Sequence, residues 1–229
     1  MNESKTLKVR LLKSGFPNKT VFVLGSTGSG KTTLIANLIC ETPRFVLFDT
    51  RNEYATEFFG EDTIAISSIA ELVDALNNQK YKVVYKLPSG NEADAAFDSA
   101  LYLIYQFQAA NRENEDLPPV TIILDELNRF AETSSWPESL QEIVQRGRDY
   151  KIQKIFGAQW FGTIPTWCRD SFSEIYCFRH SDKNGLNLLE RFGFEPEQIK
   201  NLPLYHCLHN GKNGVESVSL VPDSTSVDN

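Results

Sequence analysis

Long hydrophobic runs are missing from this sequence. Its apolar stretches, such as Leu101–Tyr105, have the length of a strand or part of a core helix. They fall well short of the roughly 18 consecutive apolar residues of a membrane helix, so direct membrane insertion is not expected. The opening MNESKTLKVRLLK has no apolar centre, which argues against a secretory signal. Cysteine is scarce: four residues, Cys40, Cys168, Cys177 and Cys207, with no CxxC pair. That excludes a disulfide scaffold and suits reduced thiols in a cytosol. Positive charge is in deficit, with 23 Lys and Arg against 30 Asp and Glu and a net charge of −7. A protein that coats nucleic acid over its whole surface is excluded, and any such contact needs a local basic patch. Internal repeats and low-complexity segments are also absent.

What is present is an ordinary globular composition, 41% apolar and 23% charged over 229 residues. At about 150 residues per domain, one large domain is expected. We place it over residues 1–221 with a core over 20–209, and expect the polar end, 222–229, to fray. Short β-branched and aromatic runs alternate with amphipathic ones. Strands are expected at Thr20–Leu24, Phe45–Asp49, Thr63–Ile66, Lys82–Lys86, Val120–Leu124, Gln153–Ala158 and Glu174–Phe178. A last hairpin is expected from Leu204–His209 and Val215–Leu220, turning at Asn213-Gly214. Helices are expected at Lys31–Cys40, Ser67–Gln79, Glu92–Ala110, Pro137–Arg146 and Asn184–Phe192. The second has capping-box spacing at Ser68 and Glu71 and an apolar face of Ile69, Leu72, Val73 and Leu76. In the fourth, Pro137 is expected at the first helical position, and Gly193 should end the fifth. Strands alternating with helices predict an α/β fold, a mostly parallel twisted sheet with helices on both faces.

The sharpest signal is Gly25-Ser26-Thr27-Gly28-Ser29-Gly30-Lys31-Thr32, a GxxxxGK[ST] phosphate loop placed between a strand and a helix. Its glycines let the backbone fold tightly and turn successive N–H groups inward. The helix that follows adds its unpaired amides and positive dipole end. Lys31 would reach β- and γ-phosphates, the Thr32 hydroxyl would ligate Mg²⁺, and Thr33 would lie near the α-phosphate. A second signal is the apolar strand Val120–Leu124 ending in Asp125-Glu126. Asp125 there would complete the Mg²⁺ shell, and Glu126 would orient a water for attack on the γ-phosphate. A small-molecule kinase has no use for such a hydrolytic base.

With these motifs the chain resembles the FtsK–HerA group of RecA-like P-loop ATPases, of the additional-strand catalytic-glutamate class. Phe48-Asp49-Thr50-Arg51-Asn52-Glu53-Tyr54 resembles the strand-two DxxxEY signature of HerA-like proteins. Gln145-Arg146-Gly147-Arg148-Asp149-Tyr150 resembles the segment that carries the family's trans-acting arginine, and Gly157-Ala158-Gln159 the strand ending in a γ-phosphate-sensing glutamine. The resemblance implies that Arg148, at the family's spacing before Gln159, or else Arg146, acts on a neighbour's nucleotide. Asp149 stands where the family segment has lysine. Whether Asp49, and Glu53 with Tyr54, contact nucleotide or only pack and position a loop stays open.

The resemblance further implies ATP and Mg²⁺ as cofactors, double-stranded DNA as partner, and a homo-oligomeric ring of five or six subunits. With little chain before the first strand, it is most similar to the small genome-packaging ATPases of tailless, membrane-containing double-stranded DNA viruses. That implies a place in the host cytoplasm or at the packaging vertex of the virion, beside a vertex or portal protein. A cellular or plasmid DNA pump, a secretion or assembly ATPase acting on polypeptide, and a nucleotide kinase are the alternatives. For DNA contact the candidates are Arg112, Arg129, Lys151 and Lys154, with Trp160, Phe161 and Trp167 as stacking aromatics. His206 and His209 point to opposite faces of a strand and do not read as a metal site.

Overall fold

The computed structural model describes residues 19–51, 54–78, 81–131, 136–211 and 214–221. Nine strands form one sheet: β1 (Thr20–Leu24), β2 (Arg44–Asp49), β3 (Thr63–Ile66), β4 (Tyr81–Lys86), β5 (Val120–Leu124), β6 (Ile152–Ala158), β7 (Glu174–Phe178), β8 (His206–Gly211) and β9 (Gly214–Ser219). Their order across the sheet is β3-β4-β2-β5-β6-β1-β7-β8-β9. The first seven run parallel, and β8 and β9 close the far edge as an antiparallel hairpin. Asn213, proposed for the turn, lies outside the described residues, as do Glu53 and residues 222–229.

The central strands are apolar at successive positions because both of their faces are covered. Phe22, Leu24, Val46, Phe48, Ile122 and Leu124 point into one core layer. Val21, Val23, Phe45, Leu47 and Ile123 point into the other. The first layer is closed by α2 (Ile69–Leu76), α3 (Glu92–Ala110) and α5 (Glu138–Arg146); α1 (Lys31–Ile39) closes the second with Leu34, Ile35, Leu38 and Ile39.

Local chemistry sets the boundaries. Ser68 caps α2, accepting from the Glu71 amide, while Glu71 reaches back to the Ser68 amide, the capping box its spacing implies. Gly193 takes φ 80 after α7 (Lys183–Leu189) and the 3₁₀ turn Glu190–Phe192. Three expectations are corrected. Val73 is 40% exposed, and Ala75 takes its place on the buried face of α2. Pro137 is extended (ψ 135) and precedes α5 instead of opening it. The strand expected from Leu204 begins at His206, because Tyr205 is left-handed, with φ 60. Short helices α4 (Leu127–Ala131), α6 (Thr166–Arg169) and α8 (Pro196–Lys200) complete the set. His209 pairs with Glu174 and Glu216, and His206 Nδ1 with the Leu204 carbonyl, so both imidazoles have protein partners. None of the helices is long and apolar enough to cross a membrane among the described residues.

Candidate active site

Strand order brings the carboxyl ends of β2, β5, β6, β1 and β7 side by side along one edge. Asp49, Asp125, Gln159, the phosphate loop and Arg179 therefore meet there, where ligands of open α/β sheets bind.

The loop after β1 is tied to its flanking strands by the Gly25 amide to the Ala158 carbonyl (3.2 Å) and the Ser26 amide to the Arg179 carbonyl (3.4 Å). Gly28 and Gly30 have φ of 74 and 113, in the region that disfavours side chains. Gly25 has a steric reason to be glycine, since a Cβ there would lie 2.6 Å from Ser29 Oγ and 2.7 Å from Phe178 Cβ. Lys31 Nζ donates to the Gly25 and Ser26 carbonyls at 2.9 and 3.1 Å, folding back over the loop. Burial pulls its pKa down, against the attraction of Asp125 and Glu126. Thr33, partly buried, opens α1 beside Thr32.

Thr32 Oγ1 donates to Asp125 Oδ2 at 2.8 Å, and the Tyr54 hydroxyl donates to the same oxygen. Asp125 is buried, and burial raises its pKa against these hydrogen bonds and the nearby Lys31 and Arg51. Its other oxygen, Oδ1, is buried without a partner among the described residues. A hydroxyl and a carboxylate with a free buried lone pair are the hard oxygen donors that suit Mg²⁺, so the residues present fit the ion. Gly157 makes room for this carboxylate, because a Cβ there would stand 2.5 Å from Asp125 Oδ1 and 2.6 Å from the Asp125 carbonyl.

Glu126 faces a cleft of about 420 Å³ lined by Thr50, Arg51, Asn128, Arg129, Gln159 and Trp160. Both of its oxygens are taken by Arg51, through Nε at 2.9 Å and Nη2 at 2.5 Å. The segment that places Arg51 is organised by Asp49, fully buried, whose carboxylate accepts from the Arg51 amide (3.2 Å) and the Tyr54 amide (3.0 Å). So Asp49 shapes a loop that sets Tyr54 on Asp125 and Arg51 on Glu126. On the opposite wall, Asn128 Oδ1 accepts from the Gln159 and Trp160 amides (2.8 and 3.2 Å), and its Nδ2 donates to the Trp160 carbonyl (2.9 Å) and Thr163 Oγ1 (2.5 Å). This one amide joins the segment after Glu126 to the loop that carries Gln159. Leu127 and Phe130 anchor α4 in the core, with Phe130 stacked on Phe97 at 3.7 Å.

The two candidate arginines are in different circumstances. Arg146 is engaged by Glu142 (3.4 Å) and the Tyr150 hydroxyl (3.1 Å). Arg148, in the 3₁₀ turn Gly147–Tyr150, is exposed and has no partner among the described residues. Lys154 is buried, not a surface cation, and burial lowers its pKa to about 8. Its Nζ donates to the Ile143 carbonyl at 3.3 Å, so it supports the end of α5 just before the arginine segment. It cannot meet DNA, and neither can Phe161, which is fully buried against Phe22 and Phe192. Arg129 is spent on the Thr50 carbonyl (2.7 Å). Lys151 Nζ reaches the Asn114 carbonyl (2.8 Å), and Arg112 pairs with Glu113 (2.7 Å) at the surface. Trp160 is 51% exposed at the rim of the cleft, while Trp167 packs edge-on against Trp136.

Sequence reasoning gave Arg51 no role of its own, left Tyr54 open with Glu53 between positioning a loop and contacting nucleotide, and passed over Asn128. The first two lie inside the DxxxEY-like segment, which was the available signal; Asn128 had none beyond its nearness to Glu126.

Comparison with known proteins places this geometry. A family model described as the central domain of helicase HerA matches residues 2–192. No match was found among curated proteins. The structure of the genome packaging NTPase B204 of Sulfolobus turreted icosahedral virus 2 in complex with ATP-gammaS is similar. It has a TM-score of 0.65 and 17% identity, covering 89% of this chain and 97% of that one. B204 described as the DNA-packaging ATPase of Sulfolobus turreted icosahedral virus gives a TM-score of 0.67 at 17% identity, covering 90% and 99%. ATPases 2 and 3 of EssC from Geobacillus thermodenitrificans give 0.59 at 14% identity, covering 92% of this chain and 41% of that one. With the phosphate loop, the paired carboxylates and the parallel sheet in place, the chain belongs to the HerA central-domain family, as a P-loop ATPase of the FtsK–HerA kind.

Proposed function

We propose that this protein hydrolyses ATP with Mg²⁺ to drive double-stranded DNA through a ring of its own copies, as the packaging motor of a viral genome. The observation that carries the reading is the second carboxylate. Glu126 opens onto the same cleft as Gln159, one residue beyond the Asp125 that meets Thr32.

The phosphate loop receives the triphosphate through its backbone amides and the α1 dipole. Lys31 exchanges two carbonyl partners for phosphate oxygens, a gain in charge pairing that needs only a rotation of its side chain. Thr32 and Asp125 would hold Mg²⁺, which when bound would neutralise charge on the triphosphate. Glu126 orients water once Arg51 lets go of it, and a γ-phosphate entering the cleft competes for that guanidinium. Arg148, exposed and uncommitted, is the better placed of the two arginines to reach a neighbour's γ-phosphoryl group. Gln159 reports phosphate loss through the Asn128-clamped loop to Trp160 at the surface. Arg112, Lys151 and Trp160 are the remaining DNA-contact candidates.

The likeness to B204, described as a genome packaging NTPase, supports the DNA substrate and the viral setting. Similarity to the secretion ATPase EccC of Thermomonospora curvata supports a second reading, in which the ring moves polypeptide. Turnover measured with and without duplex DNA across a salt series, on material of known oligomer size, separates the two. Stimulation that fades with salt is expected for the DNA motor; a rate indifferent to DNA at every salt concentration contradicts it.

A further inference from the structure

Tyr205 pairs an uncommon backbone conformation with an exposed aromatic side chain. Its backbone is left-handed, with φ 60, a conformation costly for a bulky side chain, and the residue is 44% exposed. The strain is held from both sides: the Tyr205 amide donates to the Ser29 carbonyl at 3.1 Å, and the Leu220 amide donates to the Tyr205 carbonyl at 2.9 Å. The result is an aromatic ring laid beside the phosphate loop. A Cβ on Gly30 would lie 3.0 Å from Tyr205 Cδ1 and 3.1 Å from Phe178 Cε1, so the absence of a side chain at Gly30 is what admits the ring. An outlier fixed by two hydrogen bonds, with its side chain outside both core layers of the described residues, calls for a function.

Position supplies it. Glu126, Arg51 and Gln159 lie toward β2, β5 and β6, on one side of β1, whereas Tyr205 precedes β8, beyond β7 on the other side. A triphosphate laid along the loop with its γ end at Glu126 directs its nucleoside toward β7 and β8. We propose that the Tyr205 ring is the platform on which the purine base of the nucleotide stacks. This rests on the phosphate loop holding a nucleotide and adds where the base goes. A stacking surface accepts any purine face, so Tyr205 itself gives little preference between ATP and GTP.

The test separates base from phosphate. Tyr205→Gly suits the left-handed backbone and removes only the ring, so its melting temperature should be no lower than that of the parent. Binding of ATP-gammaS and of inorganic tripolyphosphate, each with Mg²⁺, is measured by calorimetry on the full chain. Loss of one stacking contact should weaken ATP-gammaS about tenfold and leave tripolyphosphate unchanged. Tyr205→Phe should bind both as the parent does, and the KM for ATP should rise in Tyr205→Gly with kcat unchanged. Unaltered ATP-gammaS affinity in Tyr205→Gly overturns the proposal, and so does an equal loss for tripolyphosphate. Failure of the parent protein to bind either ligand overturns the nucleotide site itself.

Discussion

Replacing Gly157 with alanine adds one carbon at the point where β6 passes the end of β5. That carbon would sit 2.5 Å from Asp125 Oδ1, 2.6 Å from the Asp125 carbonyl oxygen and 3.0 Å from its carbon. An ordinary C···O contact is about 3.3 Å, so the overlap is roughly 0.8 Å. Two of the three atoms are backbone, and the register from Val120↔Ile152 to Leu124↔Phe156 holds both strands, so no side-chain rotation relieves it. Overpacking of this kind costs about 1–3 kcal/mol. In a chain of this size that lowers the melting temperature by roughly 2–12 °C. The more specific consequence is that Asp125 moves away from Thr32, and a misplacement near 1 Å costs about 10²-fold in turnover. Gly90→Ala is the control. Gly90 has φ 73 with nothing within 4 Å of a Cβ, so that variant carries backbone strain without touching the site. A melting scan and a phosphate-release assay on both variants are sufficient. A Gly157→Ala protein that melts and turns over like the parent would refute the argument that glycine is there to seat Asp125.

The Arg51–Glu126 pair is 51% and 25% exposed, so it contributes at most about 1 kcal/mol. Arg51→Ala should therefore raise DNA-free turnover by no more than about fivefold, and a fall in that rate would show that Arg51 assists the reaction. Burial raises the Asp125 pKa above the usual carboxylate range, so its protonated form stabilises the fold at low pH and that contribution is lost as pH rises through the raised value. Asp125→Asn should accordingly melt higher than the parent at neutral pH, a gap that closes on acidification toward about pH 4, and should lose Mg²⁺-dependent ATP hydrolysis. A lower melting temperature at neutral pH contradicts the sign. Arg148→Ala should reduce hydrolysis by about 10³–10⁵ with nucleotide affinity unchanged. Mixed in equal amounts with Glu126→Gln, itself inactive, it should recover about a quarter of parent turnover, because a complete site forms wherever one variant's Glu126 faces the other's Arg148; no recovery would count against action on a neighbour.

Much of this architecture was legible because both sheet faces are covered, which makes β1, β5 and β7 continuous or nearly continuous apolar runs bounded by turns. The phosphate loop and Asp125-Glu126 were legible because their chemistry is compressed into adjacent positions. The short helices α4, α6 and α8 have four or five residues each, too few to show a period. The site's long-range partners were hidden for a different reason: Arg51 meets Glu126 across 75 positions and Tyr54 meets Asp125 across 71, a matter of sheet order that local pattern does not encode. Lys154 misled because a lysine in a strand looks like a surface residue, when here it is turned inward to cap the end of a helix.

The proposed function depends most on Glu126 being the group that prepares water for attack, in a site built to hold a triphosphate. Glu126→Gln preserves the size of the side chain and removes its charge, and ATP affinity and ATP turnover can be measured on the same preparation. Retained Mg²⁺–ATP binding with turnover reduced by at least about 10²-fold is the predicted result. Turnover at the parent rate would contradict it.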